Sequence, residues 1–300
     1  MKVFVSYSHK DGEFVLKRLV PVLKAGGVEV VVDRERFEAG GNVYVQMDGA
    51  QDAAEKHILC VSADWAASTA CRRELMRAVG KDPDGRRHLV VPVRLDATDL
   101  PGELADGHRI YVALQDTSDA EQWQLLLSAA GGRLEVDAPR WLDVRLELLR
   151  EVNAGNCVNL VTYGRRAGSG SMLRQLAERD LKGLCVVDLE DGRTARRRGF
   201  LQEILRSAGS PNPSLPAGDD LGEFQARIEA RPGRLNLAIE HFDIAGVRWR
   251  KDFDLFGTLR NLTSTKRKLL LIFQSHEPFA SILASTNPCS SLDVKTIDLR

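Results

Sequence analysis

The sequence has no uninterrupted apolar run near the roughly 20 residues that a membrane helix needs, and aromatic residues make up only 6% of it. A spanning helix is therefore not expected. The opening segment MKVFVSYS passes straight into strand-like sequence without the basic and apolar regions of a signal peptide, so a cytoplasmic location is expected. Cysteine is sparse: Cys60, Cys71, Cys157, Cys185 and Cys289 are odd in number, widely spaced and without a CxxC pair. That excludes a disulfide framework or a zinc site as the default reading and favours reduced thiols. There is no excess of charge either, with 42 basic and 42 acidic residues, and no fixed-period repeat. The balance is local: residues 1–137 hold 17 basic against 22 acidic side chains, and residues 138–300 hold 25 against 20. Opposite halves of this kind attract only weakly at cellular salt.

What remains is a globular composition, 43% apolar and 28% charged over 300 residues, enough for two domains with separate cores. In the first half, short β-branched runs at Lys2–Ser6, Val28–Asp33, His57–Ser62, His88–Leu95 and Arg109–Leu114 alternate with helical patterns at Glu13–Ala25, Val43–Lys56, Ala70–Val79 and Ala120–Ala130. Continuous apolar runs such as VEVVV and HLVVPV suit strands buried on both faces, so a doubly wound parallel α/β sheet is expected, with ligands beyond the carboxyl ends of its strands. The polar stretch Gly131–Arg140 reads as a connection, giving a first domain over 1–132, a linker over 133–142 and a second domain over 143–300. The second opens with an amphipathic helix, Arg140–Ala154. It then repeats the alternation with strands at Val158–Tyr163, Gly183–Asp188, Arg234–Glu240, Lys268–Gln274 and Val294–Leu299. Residues 208–222, rich in Pro, Gly and Ser, read as an exposed, mobile loop.

Four motifs in the first half occur in an ordered series. VFVSYSHKD at Val3–Asp11 is a strand ending in a Ser/Tyr/Ser turn, and VVVDRERFEAGG at Val30–Gly41 is a strand followed by a loop. ILCVSADWAASTACRREL at Ile58–Leu75 carries a strand and a helix start, Ser68-x-x-Cys71-x-x-Glu74, and LVVPVRLDATDLPGEL at Leu89–Leu104 ends in a Leu-Pro turn. Together they resemble a Toll/interleukin-1 receptor (TIR) domain, with a flavodoxin-like doubly wound sheet over residues 1–132. The family contains adaptors that assemble through the loop after the second strand, the BB loop, and enzymes that cleave NAD+ with a glutamate where this chain has Glu74.

That resemblance implies Glu74 as the central carboxylate. Breaking the nicotinamide–ribose bond leaves positive charge on the ribose, which a fixed carboxylate stabilises. NAD+ is then substrate, and no cofactor or metal is required. Without the family, Glu74 on an amphipathic helix reads as a solvated surface residue. Trp65 is placed to stack on an adenine or nicotinamide ring, or else to pack at the edge of the core. Ser6, Tyr7 and Ser8 follow a strand end where a pocket is expected, and Ser68 and Cys71 complete the motif, although Cys71 lacks a basic partner and reads equally as helix packing. Phe37, Glu38 and Gly40–Gly41 fall in the BB loop, a candidate switch or an ordinary turn.

In the second half VNLVTYGRRAGSGSML, Val158–Leu173, is a strand, a glycine-rich turn and a helix start, the context of a phosphate-binding loop. Counted from Gly164, however, Ser169 falls on the second glycine and Gly170 on the lysine, while Ser171 keeps the hydroxyl; Gly168 lies in the same turn. LNLAIEHFD, Leu235–Asp243, places Glu240 and His241 where a Walker B strand ends. The segment resembles a degenerate P-loop ATPase module of the STAND/AAA type, which implies lost hydrolysis and a role in oligomerisation or in sensing a trigger molecule or partner. An unrelated α/β domain with a glycine-rich turn is the alternative. Basic clusters at Arg193/Arg196–Arg198, Arg248/Arg250–Lys251 and Lys266–Lys268 lack aromatic interleaving beyond Trp249, so nucleic-acid binding is not expected. His241 and His276 end two strands and are candidates to face one crevice, with further ligands missing for a metal. The resulting reading is an NAD+ glycohydrolase that self-associates through its TIR domain, with a setting in bacterial anti-phage defence taken from the resemblance alone. A non-enzymatic TIR adaptor and a nucleotide-operated switch are the alternatives.

Overall fold

The computed structural model describes residues 1–32, 43–105, 109–162, 169–284 and 286–299, with backbone alone at 43–47 and 169–171. The chain divides into two compact units, Met1–Leu142 and Asp143–Arg300. Each is built on a five-stranded, wholly parallel sheet.

In the first unit the strands are β1 (Lys2–Ser6), β2 (Glu29–Val32), β3 (Lys56–Val61), β4 (Val90–Arg94) and β5 (Val112–Ala113), in the order β2-β1-β3-β4-β5. This is the doubly wound arrangement in which the chain winds one way from β1 and the other way from β3. Val3, Phe4 and Val5 have no exposed surface, because β1 is covered on both faces, and that is why its sequence is a continuous apolar run. The helix expected to reach Lys56 ends at Asp52, and Lys56 instead opens β3. β5 shrinks to two residues because Arg109 turns its guanidinium back onto Asp82 and the carbonyls of Asp82 and Pro83, while Ile110 is 81% exposed.

The second unit contains β6 (Cys157–Val161), β7 (Leu184–Asp188), β8 (Leu235–Glu240), β9 (Leu269–Ser275) and β10 (Val294–Asp298), in the order β10-β6-β9-β8-β7. The helix preceding β6 runs Ala138–Ala154. The core on this sheet is aromatic: Phe242 lies 4.3 Å from Phe273, Phe273 lies 4.7 Å from Phe279, and Phe200 lies 4.8 Å from Trp249, centroid to centroid. Offset aromatic contacts of this kind add to plain area burial. The loop expected over 208–222 is largely exposed, but Leu215 is fully buried in this core, and a helix already begins at Asp220. All five cysteines are buried and unbridged, and burial raises the thiol pKa of Cys60, Cys157 and Cys185 and pushes that of Cys289 up to about 12.

Candidate functional site

The switch point of the first sheet lies between β1 and β3, where connections leave in opposite senses, the place at whose carboxyl end open sheets of this kind bind ligands. Three contacts tie the two strand ends together. The indole Nε1 of Trp65 donates to Ser6 Oγ at 2.9 Å, Ser62 Oγ donates to Asp11 Oδ2 at 2.6 Å, and Cys71 Sγ donates to the Tyr7 carbonyl at 3.6 Å. Short caps continue the chain from there. Ser62 accepts from the Trp65 N–H to start the turn Ala63–Ala66, and Ser68 accepts from the Cys71 N–H to start the helix Thr69–Lys81.

Along that helix the buried positions are Cys71, Glu74, Leu75 and Ala78, the spacing of one core-facing stripe. Glu74 is 5% exposed, so a carboxylate occupies a place where the pattern otherwise sets apolar residues. It is not the solvated residue that composition alone suggests. Its burial follows from the helix Val43–Asp52, which is clamped alongside. Gln51 Nε2 donates to the Glu74 carbonyl at 2.9 Å, Arg73 meets Asp48 at 2.7 Å, Arg77 meets Asp52, and Lys81 Nζ reaches both Asp52 at 2.9 Å and the Gln51 carbonyl at 3.0 Å. These ion pairs are partly exposed and contribute about 1 kcal/mol or less each, so they set register more than they add stability.

Several candidate ligand contacts are spent within the fold. Trp65 is 1% exposed and joins Leu59, Val61, Cys71 and Leu75 in the core, so its ring has no open face for stacking on a base. Ser6 is fully buried as the acceptor of Trp65, Ser8 caps the turn His9–Asp11, Ser68 caps its helix, and Tyr7 and Cys71 are buried. They are committed to holding the carboxyl ends of β1 and β3 together. Phe37, Glu38, Gly40 and Gly41 lie outside the described residues.

Asp11 and Ser62 are additions that the motif reading passed over. Burial pushes the Asp11 carboxyl above its ordinary value, the Ser62 hydroxyl works against that, and the nearby Asp64 and Asp96 push the same way as burial. VFVSYSHKD signals an acidic residue after the first turn, but its partner stands 51 residues away.

Residues 3–127 match the family model described as TIR domain. This segment is a TIR domain. Among solved structures, the TIR domain of the Toll-related receptor TRR-2 from Hydra magnipapillata is 20% identical, over 43% of this chain and 98% of that one, with a TM-score of 0.38. A chain from the Drosophila ORC bound to DNA is 14% identical over 52% of this chain and 87% of that one, TM-score 0.40. Another, from the Drosophila ORC bound to AT-rich DNA and Cdc6, is 17% identical over 52% of this chain and 53% of that one, TM-score 0.38. No curated protein matches the chain.

Beyond the TIR domain, a second group of polar residues gathers at the carboxyl ends of β6 to β9. Asn159 donates to Ser275 Oγ at 2.6 Å and accepts from the Phe279 N–H at 2.8 Å, and Gln274 donates to Thr162 Oγ1 at 2.8 Å. Glu240 is 2% exposed; Arg174 lies 3.5 Å from its Oε2, while Oε1 has no hydrogen-bond partner among the described residues. Burial raises its pKa, against the pull of Arg174. His241 adopts a φ of 55° and holds Nδ1 at 2.7 Å from Asp188, and His276 Nδ1 lies 2.9 Å from Asp243. The two imidazoles lie near each other, with centroids 6.4 Å apart. Among the described residues no group of three His, Cys, Asp or Glu side chains is arranged to hold a metal ion. Gly164 and Gly168 lie outside the described residues, and Gly170 and Ser171 fall in the helix Ser169–Gln175. Much of the basic charge is consumed internally: Arg197 pairs with Asp220 and Asp252, Arg248 donates to the Leu189 and Thr194 carbonyls, and Lys266 meets Glu229.

Proposed function

We propose that the TIR domain cleaves NAD+ at the bond between nicotinamide and ribose, with Glu74 as the carboxylate that stabilises the reacting sugar. The observation that carries this reading is Glu74 itself, 5% exposed on the core-facing stripe of Thr69–Lys81, one helical turn beyond the Cys71–Tyr7 contact at the end of β1. As the bond from ribose C1′ to the pyridinium nitrogen breaks, its electron pair neutralises the ring, and nicotinamide leaves without needing a proton. Positive charge then spreads over C1′ and the ring oxygen. A desolvated carboxylate stabilises that charge far more than one in water, and it accepts hydrogen bonds from the ribose hydroxyls. Water adds to C1′ and releases a proton, giving ADP-ribose; a hydroxyl or ring nitrogen of the same molecule attacking instead gives a rearranged form.

Self-association of TIR domains fits an activity that rises with protein concentration. The second unit, in this reading, is a degenerate P-loop module that brings TIR domains together. Its support is the glycine-rich segment leaving β6 beside the reversal of strand order, with the buried Glu240 ending β8 and Gly170 standing where a phosphate-binding lysine is required. An anti-phage setting follows from the family resemblance. Incubating the chain with NAD+ at low and high protein concentration, with products resolved by chromatography, tests the proposal. Nicotinamide should appear at a rate that grows faster than protein concentration. Intact NAD+ at every concentration, with signalling retained in cells, would leave an adaptor as the reading.

A further inference from the structure

At the opposite end of the first sheet, the amino ends of β3, β4 and β5 open into a cavity of about 570 Å³, within the range of small-molecule sites. One wall is apolar: Val90, Val91 and Val112 from the strands, and Leu125 and Ala129 from the helix Ala120–Ala129. The other carries Lys56, Arg86 and Arg109. Arg109 has a side chain only 4% exposed, and although its terminal nitrogens are bonded to Asp82 and to the carbonyls of Asp82 and Pro83, its Nε–H has no acceptor among the described residues. A buried guanidinium N–H left without a partner costs free energy until a ligand atom supplies one. The neighbouring charges decide the sign of that ligand. Arg109 is balanced by Asp82, and Arg86 is balanced by Asp84 at 3.1 Å, whereas among the described residues Lys56 meets the neutral Ala129 carbonyl at 2.5 Å and no carboxylate. Among the described residues the cavity thus carries one uncompensated positive charge at its polar end, with His88 beside it.

We infer that this cavity is a binding site for an amphipathic monoanion, a carboxylate on an apolar body of the alkanoate class. The carboxylate lies against Lys56 and the Arg109 side chain at the polar end, and the apolar body covers Val112 and Leu125, of which Leu125 is 38% exposed. Because the site is at the amino ends of the strands, its occupant does not compete with a molecule at the β1–β3 switch point, and the inference stands apart from NAD+ cleavage.

Titration calorimetry of the full chain with octanoate, octanol and octylammonium tests it. Octanoate should bind at least about tenfold more tightly than octanol, the margin of one charge-assisted hydrogen bond, and octylammonium should be weakest. Lys56→Met should bring octanoate down to the level of octanol, and Leu125→Trp, which fills the apolar half, should abolish binding of both. In the unaltered protein, octanoate should slow amide exchange in the peptides covering 84–91 and 109–113 and leave that of 6–11 unchanged. Equal affinity for all three probes, no binding of octanoate at about 10 mM, retained binding in a folded Leu125→Trp variant, or protection confined to other peptides would each overturn the inference.

Discussion

His57 gives the fold a calculable dependence on pH. It is the second residue of β3, 1% exposed, with Nδ1 lacking a hydrogen-bond partner among the described residues. Burial lowers its pKa from 6.5 to about 4, with Lys81 acting in the same direction and Asp52 against. Between those two values the unfolded chain binds a proton that the native chain refuses, so stability falls as pH falls through the window. The full gap corresponds to about 3 kcal/mol. Near pH 7 the loss is below about 0.3 kcal/mol, and by about pH 5 it reaches about 2 kcal/mol, a large share of a domain's stability. Other groups titrate nearby: Asp82, Asp52 and Asp96 sit below their ordinary values and lose stability at lower pH still, while Asp11 sits above its own and opposes them. The contribution of His57 is therefore read as a difference. Amide hydrogen exchange of peptides from β1 and β3 should show unaltered protein losing about 2 kcal/mol of protection relative to His57→Leu between about pH 7 and pH 5, since intrinsic rates cancel at each pH. Parallel curves for the two proteins would refute the reasoning.

Asp82→Ala should destabilise the TIR domain by about 3–5 kcal/mol, because the fully buried carboxylate accepts from the Leu89 and Arg87 amides and its loss strands Arg109; thermal denaturation checks it. Trp65→Phe should cost about 1–3 kcal/mol through the lost bond to Ser6 and leave KM for NAD+ nearly unchanged, whereas a raised KM with unchanged stability would return Trp65 to the ligand. Gly199→Ala sets a Cβ 2.0 Å from the Arg193 carbonyl and should lower exchange protection of the second unit by about 1–3 kcal/mol.

Much of this architecture can be read from local pattern. β1 spans Lys2–Ser6 as its apolar run predicts, and the spacing of Cys71, Glu74, Leu75 and Ala78 marks the inward face of a helix. What the pattern hides is long-range pairing. Whether Trp65 faces a ligand or the core depends on Ser6, 59 residues earlier, and the helix segment carrying Glu74 is held at its carbonyl by Gln51, 23 residues earlier. β5 shows the same limit: Arg109–Leu114 has the composition of a strand, but the grip of Arg109 on Asp82 and Pro83 diverts all but two residues. In the second unit, the left-handed backbone of His241 and its closeness to His276 are properties of β8 and β9 being neighbours, which no local motif records.

The most direct test of the central claim compares the unaltered chain with Glu74→Gln at high concentration, measuring nicotinamide release from NAD+ alongside exchange protection of β1. The account predicts that the variant keeps its protection and loses about a hundredfold or more in rate, the scale of removing one electrostatic stabiliser of a transition state. Equal rates in two equally folded proteins would contradict it.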